Sequence, residues 1–189
     1  VEGMKTIVSL VSKAKVPFVV CFGNHDKEFD ATNEQMYDML RTLPYNLHPD
    51  RKGGPVPDID LEIKARDGRT AFVLYCIDSH SYNWTDRYYE WITEEQIRDY
   101  EARSAAYTAA NGGKPVPSLA FFHIPLPEYG IAASDQKAPL VGTRREVCCC
   151  PDHNSGMFAA MKRCGDVKAV FVGHDHDDDY SVLWDGILL

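Results

Sequence analysis

Several things are missing from this sequence. No run approaches the ~20 apolar residues that a membrane-spanning helix requires. There is no basic excess: 20 Lys and Arg against 28 Asp and Glu leave a formal charge of −8. That balance argues against a general nucleic-acid binder, which is normally basic. Val1–Val11 lacks the basic start, long apolar stretch and cleavage site of a secretory signal, and the chain does not begin with Met, so it names no compartment. Six cysteines are present, Cys21, Cys76, Cys148, Cys149, Cys150 and Cys164. They form no spaced pair of Cys-x-x-Cys units such as a structural zinc site uses. Cys21 and Cys76 fall in apolar runs, where a free thiol behaves as a small buried hydrophobe. The thiols are read as incidental to function. Internal repeats and low-complexity tracts are also absent.

What remains is a chain of 189 residues, 44% hydrophobic, enough for one domain over 1–189 with a substantial core. Apolar spacing predicts a helix over Met4–Ala14, carried by Ile7, Val8 and Val11. Thr32-Asn33-Glu34-Gln35 and the Thr93/Gln96 pair each form a capping box, predicting helices that stop near Pro44 and near Asn111-Gly112-Gly113. Ile59–Ala65 and Thr70–Ile77, joined through Asp67-Gly68, read as a hairpin. Buried strands are predicted at Val16–Phe22, Leu119–Phe122 and Val167–Val172. A helix is predicted from Asn154-Ser155-Gly156 to Gly165, and a second hairpin over Tyr180–Leu189. Pro44–Pro57 and Tyr129–Asp152 read as long irregular stretches. Helix-linked strands mixed with hairpins indicate an α/β domain with a partly mixed sheet.

Chemistry concentrates where three of these strands end. Gly23-Asn24-His25-Asp26, His123 and Gly173-His174-Asp175-His176 each follow a buried apolar run. Side chains delivered from neighbouring strand ends are how an open sheet builds a site, and this Asn and His content suggests a metal centre that acts on phosphate. The Asn24 carbonyl is a neutral oxygen donor. His25 is placed to reach substrate, with Asp26 positioned to accept its ring N–H and raise its basicity, as suits a proton donor to a leaving alkoxide. His174 and His176 suit either two metals of a close pair or a single ion.

Taken together, Gly-Asn-His-Asp, then His, then Gly-His-x-His resembles the calcineurin-like metallophosphoesterase superfamily. Phe121–Tyr129, Asn154-Ser155-Gly156 and Gly173–Tyr180 are similar to its purple acid phosphatase-like, or Dcr2-like, branch. The resemblance implies a layered α/β sandwich with mixed sheets. It implies a phosphohydrolase acting on a small-molecule phosphate mono- or diester, with no nucleic-acid partner and no membrane segment. By the same resemblance Asn24, His123 and His174 are ligands of one metal, His176 is a ligand of a second, and His25 with Asp26 is catalytic. The family's two divalent ions (Mn, Fe or Zn) activate water for in-line attack.

The sequence departs from that pattern in one important respect. Only 23 residues precede Asn24 and none is Asp or His, so the family's Asp-x-His and Gly-Asp strand ends are not seen. The expectation is a domain truncated at its N-terminus and, inside the last hairpin, at its C-terminus. Two dications held close together without a carboxylate repel, so partial or no occupancy is expected, with His174 and His176 the place for a single ion. The alternative is a non-catalytic binding protein that keeps the fold. Further candidates are weighed lower. His48, His80 and His153 read as surface or supporting residues, though His80 is placed to approach the cleft. Tyr82, Trp84, Tyr88, Tyr89 and Trp91 read as packing over the helix at Thr93 in preference to lining a pocket. The Asp175–Asp179 run lacks the spacing of an EF-hand, and Arg144-Arg145 reads as a solvated loop.

Overall fold

The computed structural model describes residues 2–28, 30–85 and 89–189, side chains of Glu2 and Ile7 excepted. The expected roles of Ile7 and Tyr88 therefore lie outside the described residues. Among these, the order is α1 (Glu2–Lys13), α2 (Asn33–Arg41), β1 (Ile59–Lys64), β2 (Thr70–Cys76), α3 (Glu94–Ala110), β3 (Ser118–Phe121), α4 (Pro127–Ser134), β4 (Leu140–Thr143), α5 (Met157–Cys164), β5 (Val167–Phe171), β6 (Asp179–Trp184) and β7 (Ile187–Leu188). Both capping boxes form as expected: Thr32 and Thr93 accept from the Gln35 and Gln96 backbones, and each Gln reaches back to its cap.

The strands make one mixed sheet of seven, ordered β1-β2-β3-β5-β7-β6-β4. β2, β3 and β5 are parallel neighbours, while β1/β2, β6/β7 and β4/β6 pair antiparallel. Because side chains alternate across a strand, Val73 and Tyr75 of β2 enter one core while Cys76 enters another. The first core joins Val73, Tyr75, Ala120 and Val170 to Ile97 and Tyr100 of α3 and to Met157 and Met161 of α5. The second joins Ile59 and Cys76 to Val8 of α1 and to Met36, Tyr37 and Leu40 of α2. The α/β class is thus as read from the sequence.

Two expectations change. Val16–Phe22 is extended but joins no ladder; its strand-like link is a single parallel bridge from Phe18 to Asn46. His48 holds this segment instead, its Nε2 lying 3.0 Å from the Val20 nitrogen and 3.2 Å from the Val20 oxygen. In the other departure, the stretch Tyr129–Asp152 contains most of α4 and all of β4. Helix α4 starts from Pro127 after Leu126, with no side-chain cap. Proline at the first helical turn supplies the fixed φ that starts it. Strand β4 is four residues long and exists by pairing with β6, a contact that local sequence does not show.

Candidate metal centre

The parallel strands β2, β3 and β5 lie side by side, so the residues just beyond their last positions meet at one edge of the sheet. His123 follows β3 and His174 follows β5. Asn24, at the end of the extended segment, is brought in beside them. His123 Nε2 lies 2.9 Å from Asn24 Oδ1 and 3.2 Å from His174 Nδ1. Asn24 is 1% exposed, and its Nδ2 has no hydrogen-bond partner. Burial holds both rings below the ordinary imidazole range, with the neighbouring histidines adding to the effect at His174, which is pushed down to about 4. The rings are therefore neutral near pH 7, and their nitrogen lone pairs are available as donors.

The loop after β2 sets the position of this cluster. Ser79 Oγ accepts from the backbone N–H of His123 at 3.2 Å and of Ile124 at 2.9 Å. Ser81 Oγ donates to the Asn24 carbonyl at 3.1 Å. Both serines are 2% exposed. Between them His80 has a φ of 63°, and its Nε2 pairs with Gln96 Oε1 at 2.8 Å. The two serines thus bond to the cluster's backbone, while His80 is tied to the N-terminal turn of α3. The serines were missed in the sequence because a single hydroxyl in a polar loop carries no pattern. Gly23 completes the seat: a Cβ there would lie 2.9 Å from His123 Cε1 and Nε2.

The other proposed catalytic residues arrange themselves differently from expectation. Asp26 Oδ2 accepts from the Gly23 N–H at 2.7 Å, so it closes the turn and is not the partner of His25. His25 Nδ1 pairs instead with Glu28 Oε1 at 2.9 Å, three residues along the same turn, and the ring stays 59% exposed. Tyr82 Oη approaches it at 3.3 Å from Nε2. Glu28 had been overlooked because it stands outside the motif. His176 is exposed; its field reaches His123 and His174, while the rings of His123 and Tyr89 pack against His174, centroids 5.0 and 4.6 Å away.

Charged residues nearby hold loops. Asp178 Oδ1 accepts from the Arg145 and Glu146 backbones, and Asp175 from that of Cys149. Arg144 donates to the Ala133 and Glu146 carbonyls. His153 pairs with Glu94 and packs on Trp91. A cavity of about 1170 Å³ is bounded by Asp58, Asp78, His80, Gln96 and Arg103, and Asn24, His123 and His174 do not line it.

A family model described as calcineurin-like phosphoesterase matches residues 4–178. The chain belongs to the calcineurin-like phosphoesterases. It is 32% identical to a protein named probable inactive purple acid phosphatase 14 from Arabidopsis thaliana, over 92% of this chain and 48% of that protein. It is 32% identical to probable inactive purple acid phosphatase 29 of the same plant, over 95% of this chain and 51% of that protein. It is also 32% identical to phosphatase DCR2 of Saccharomyces cerevisiae, over 95% of this chain and 33% of that protein. The chain thus spans between a third and a half of the length of these relatives. No solved structure matches it significantly.

Calcineurin-like phosphoesterases normally use divalent metals, and the donor chemistry here fits one ion. Asn24 Oδ1, His123 Nε2 and His174 Nδ1 converge within hydrogen-bond distance, and oxygen and imidazole donors suit Mn, Fe or Zn. The set is two imidazoles and one amide, with no carboxylate. Among the described residues, no group of three or more His, Cys, Asp and Glu side chains is placed to hold a metal. The nearby carboxylates of Asp26 and Asp175 are engaged with backbone N–H groups.

Proposed function

We propose that this chain carries part of the centre of a metal-dependent phosphohydrolase that cleaves a phosphate mono- or diester, with water as nucleophile. The observation that carries this reading is the convergence of Asn24, His123 and His174, all neutral donors, next to the exposed imidazole of His25. A divalent cation bound there would polarise a phosphoryl oxygen and make a hydroxide available near neutral pH. The residues of the chain supply the rest. His123 and His174 stay unprotonated because they are buried. Glu28 accepts from His25 Nδ1 and orients the ring; the doubly protonated imidazolium then gives its Nε2 proton to the departing ester oxygen and keeps the one on Nδ1. His176 is proposed as a ligand toward a second ion whose remaining ligands this chain does not provide.

A second reading is favoured by a specific observation: the cluster contains no carboxylate, and two of the relatives above are named probable inactive. In that reading the fold binds a phosphate-bearing ligand without turnover. One experiment separates the two. Full-length protein loaded with manganese or iron is assayed on p-nitrophenyl phosphate and its bis ester. Turnover is expected, and His25→Ala should lose most of it while metal content is unchanged. Full activity of His25→Ala would overturn the proton-donor role. Phosphate binding without turnover under any metal would establish the second reading.

A further inference from the structure

Trp84 is 88% exposed, the highest value among the large hydrophobic side chains of the described residues. It belongs to a row of rings. Trp84 and Tyr82 are 5.2 Å apart and tilted by 36°, and Tyr82 stacks on Tyr89 at 5.7 Å and 27°. Tyr89 meets His174 edge-on at 4.6 Å, and Tyr82 meets His25 edge-on at 5.8 Å. The row therefore begins at His174 of the candidate centre and at His25 beside it, and ends in solvent at Trp84. Packing over α3 accounts for Trp91, which lies against His153, but not for Trp84. A tryptophan left in water exposes a large apolar surface that a second ring would cover favourably.

We propose that Tyr82, Trp84 and Tyr89 form a platform for a planar aromatic group, so that the centre prefers aryl phosphoesters. The proposal rests on the phosphohydrolase reading above and names its substrate class. The placement of Tyr82 is what selects an aryl ester. Its hydroxyl is within 3.3 Å of His25 Nε2, the atom assigned to the leaving oxygen, and its ring adjoins that imidazole. A ring bonded directly to the ester oxygen falls beside these aromatic faces, whereas an alkyl group has no π-face to offer them.

The test is calorimetric titration of manganese-loaded full-length protein with phenylphosphonate and with methylphosphonate, neither of which is hydrolysed. Phenylphosphonate should bind about two- to twelvefold more tightly, the range for one aromatic pair. Trp84→Ala, a change at an exposed side chain, should bring the ratio toward one. Tyr82→Leu should do the same, and Tyr82→Phe should retain it. Equal affinity for the two phosphonates, or a ratio that survives both Trp84→Ala and Tyr82→Leu, would overturn the platform and leave the phosphohydrolase reading standing. Failure of both phosphonates to bind would overturn that reading and the platform with it.

Discussion

Gly23 shows how much of the centre rests on one missing methyl group. The His123 ring occupies the space a side chain would need, at 2.9 Å from an ideal Cβ, closer than carbon atoms approach without displacement. Gly23→Ala should therefore push His123 off Asn24 and His174. The expected result is a loss of roughly 10–100-fold in metal affinity, as when other ligand supports are disturbed, measured by calorimetric titration with manganese. Unchanged affinity would mean that His123 is not a ligand. His48 makes a different kind of prediction. It is 7% exposed, and burial lowers its pKa. The unfolded chain, with an ordinary imidazole near 6.5, then binds the proton more readily than the folded one. The stability His48 contributes is present above that value and is lost as pH falls through it. Urea midpoints should drop between pH 7.5 and 5.5, and His48→Gln should flatten part of that drop. Burial of His123 and His174 acts in the same direction, so some dependence persists in the variant.

At the scale of elements, the loop after β2 links α3 to the centre. Gln96 closes the capping box of α3, and its Nε2 also donates to the Asp78 carbonyl at 2.8 Å and to Asp58. The same loop then delivers Ser79 to two backbone N–H groups beyond β3. Ser79→Ala would leave both donors without an acceptor in a buried place, at a cost of about 1–3 kcal/mol each if water does not enter. The measurable outcome is a lowered thermal midpoint together with weaker manganese binding, because the N–H of His123 is one of the two. A variant that loses stability but binds manganese as wild type would show that the loop supports the fold alone. The extended segment Val16–Phe22 is held by His48 and by the bridge at Phe18. The apolar run read as a buried strand, but Val16 and Pro17 are exposed, Phe18 to Cys21 are partly buried and Phe22 alone of the run is buried.

For the whole molecule, the buried carboxylate of Asp166 ties the sheet to α3. Tyr75 Oη donates to it at 3.0 Å, Tyr100 Oη at 2.5 Å and the Val167 N–H at 3.0 Å. Burial and that neighbouring carboxylate raise the pKa of both phenols, which keeps them protonated as donors. Tyr100→Phe should cost about 1–3 kcal/mol in chemical denaturation, since it strips a donor from a buried acceptor. On the opposite face of the sheet, Phe171, Leu183 and Leu188 are 48%, 57% and 39% exposed, so this face is covered by helices over β1 and β2 and open to solvent over β5, β6 and β7.

The sequence by itself determined the α/β class, both capped helices and which Asn and His residues stand at the strand ends. These are local matters: periodicity, cap residues and short motifs act within a few positions. Sequence also set His25 apart as the ring placed to reach substrate, and the structure leaves it exposed. Only the tertiary structure decided which of those groups meet. It placed His123 against His174, the two histidines that the family resemblance groups with Asn24, because β3 and β5 are parallel neighbours. It assigned Glu28 to His25 and Asp26 to Gly23, chose Ser79 and Ser81 as supports, and turned Tyr82 and Tyr89 toward the histidines. Each of these is a contact between segments distant in sequence or a choice among equally polar neighbours, and both are settled by packing.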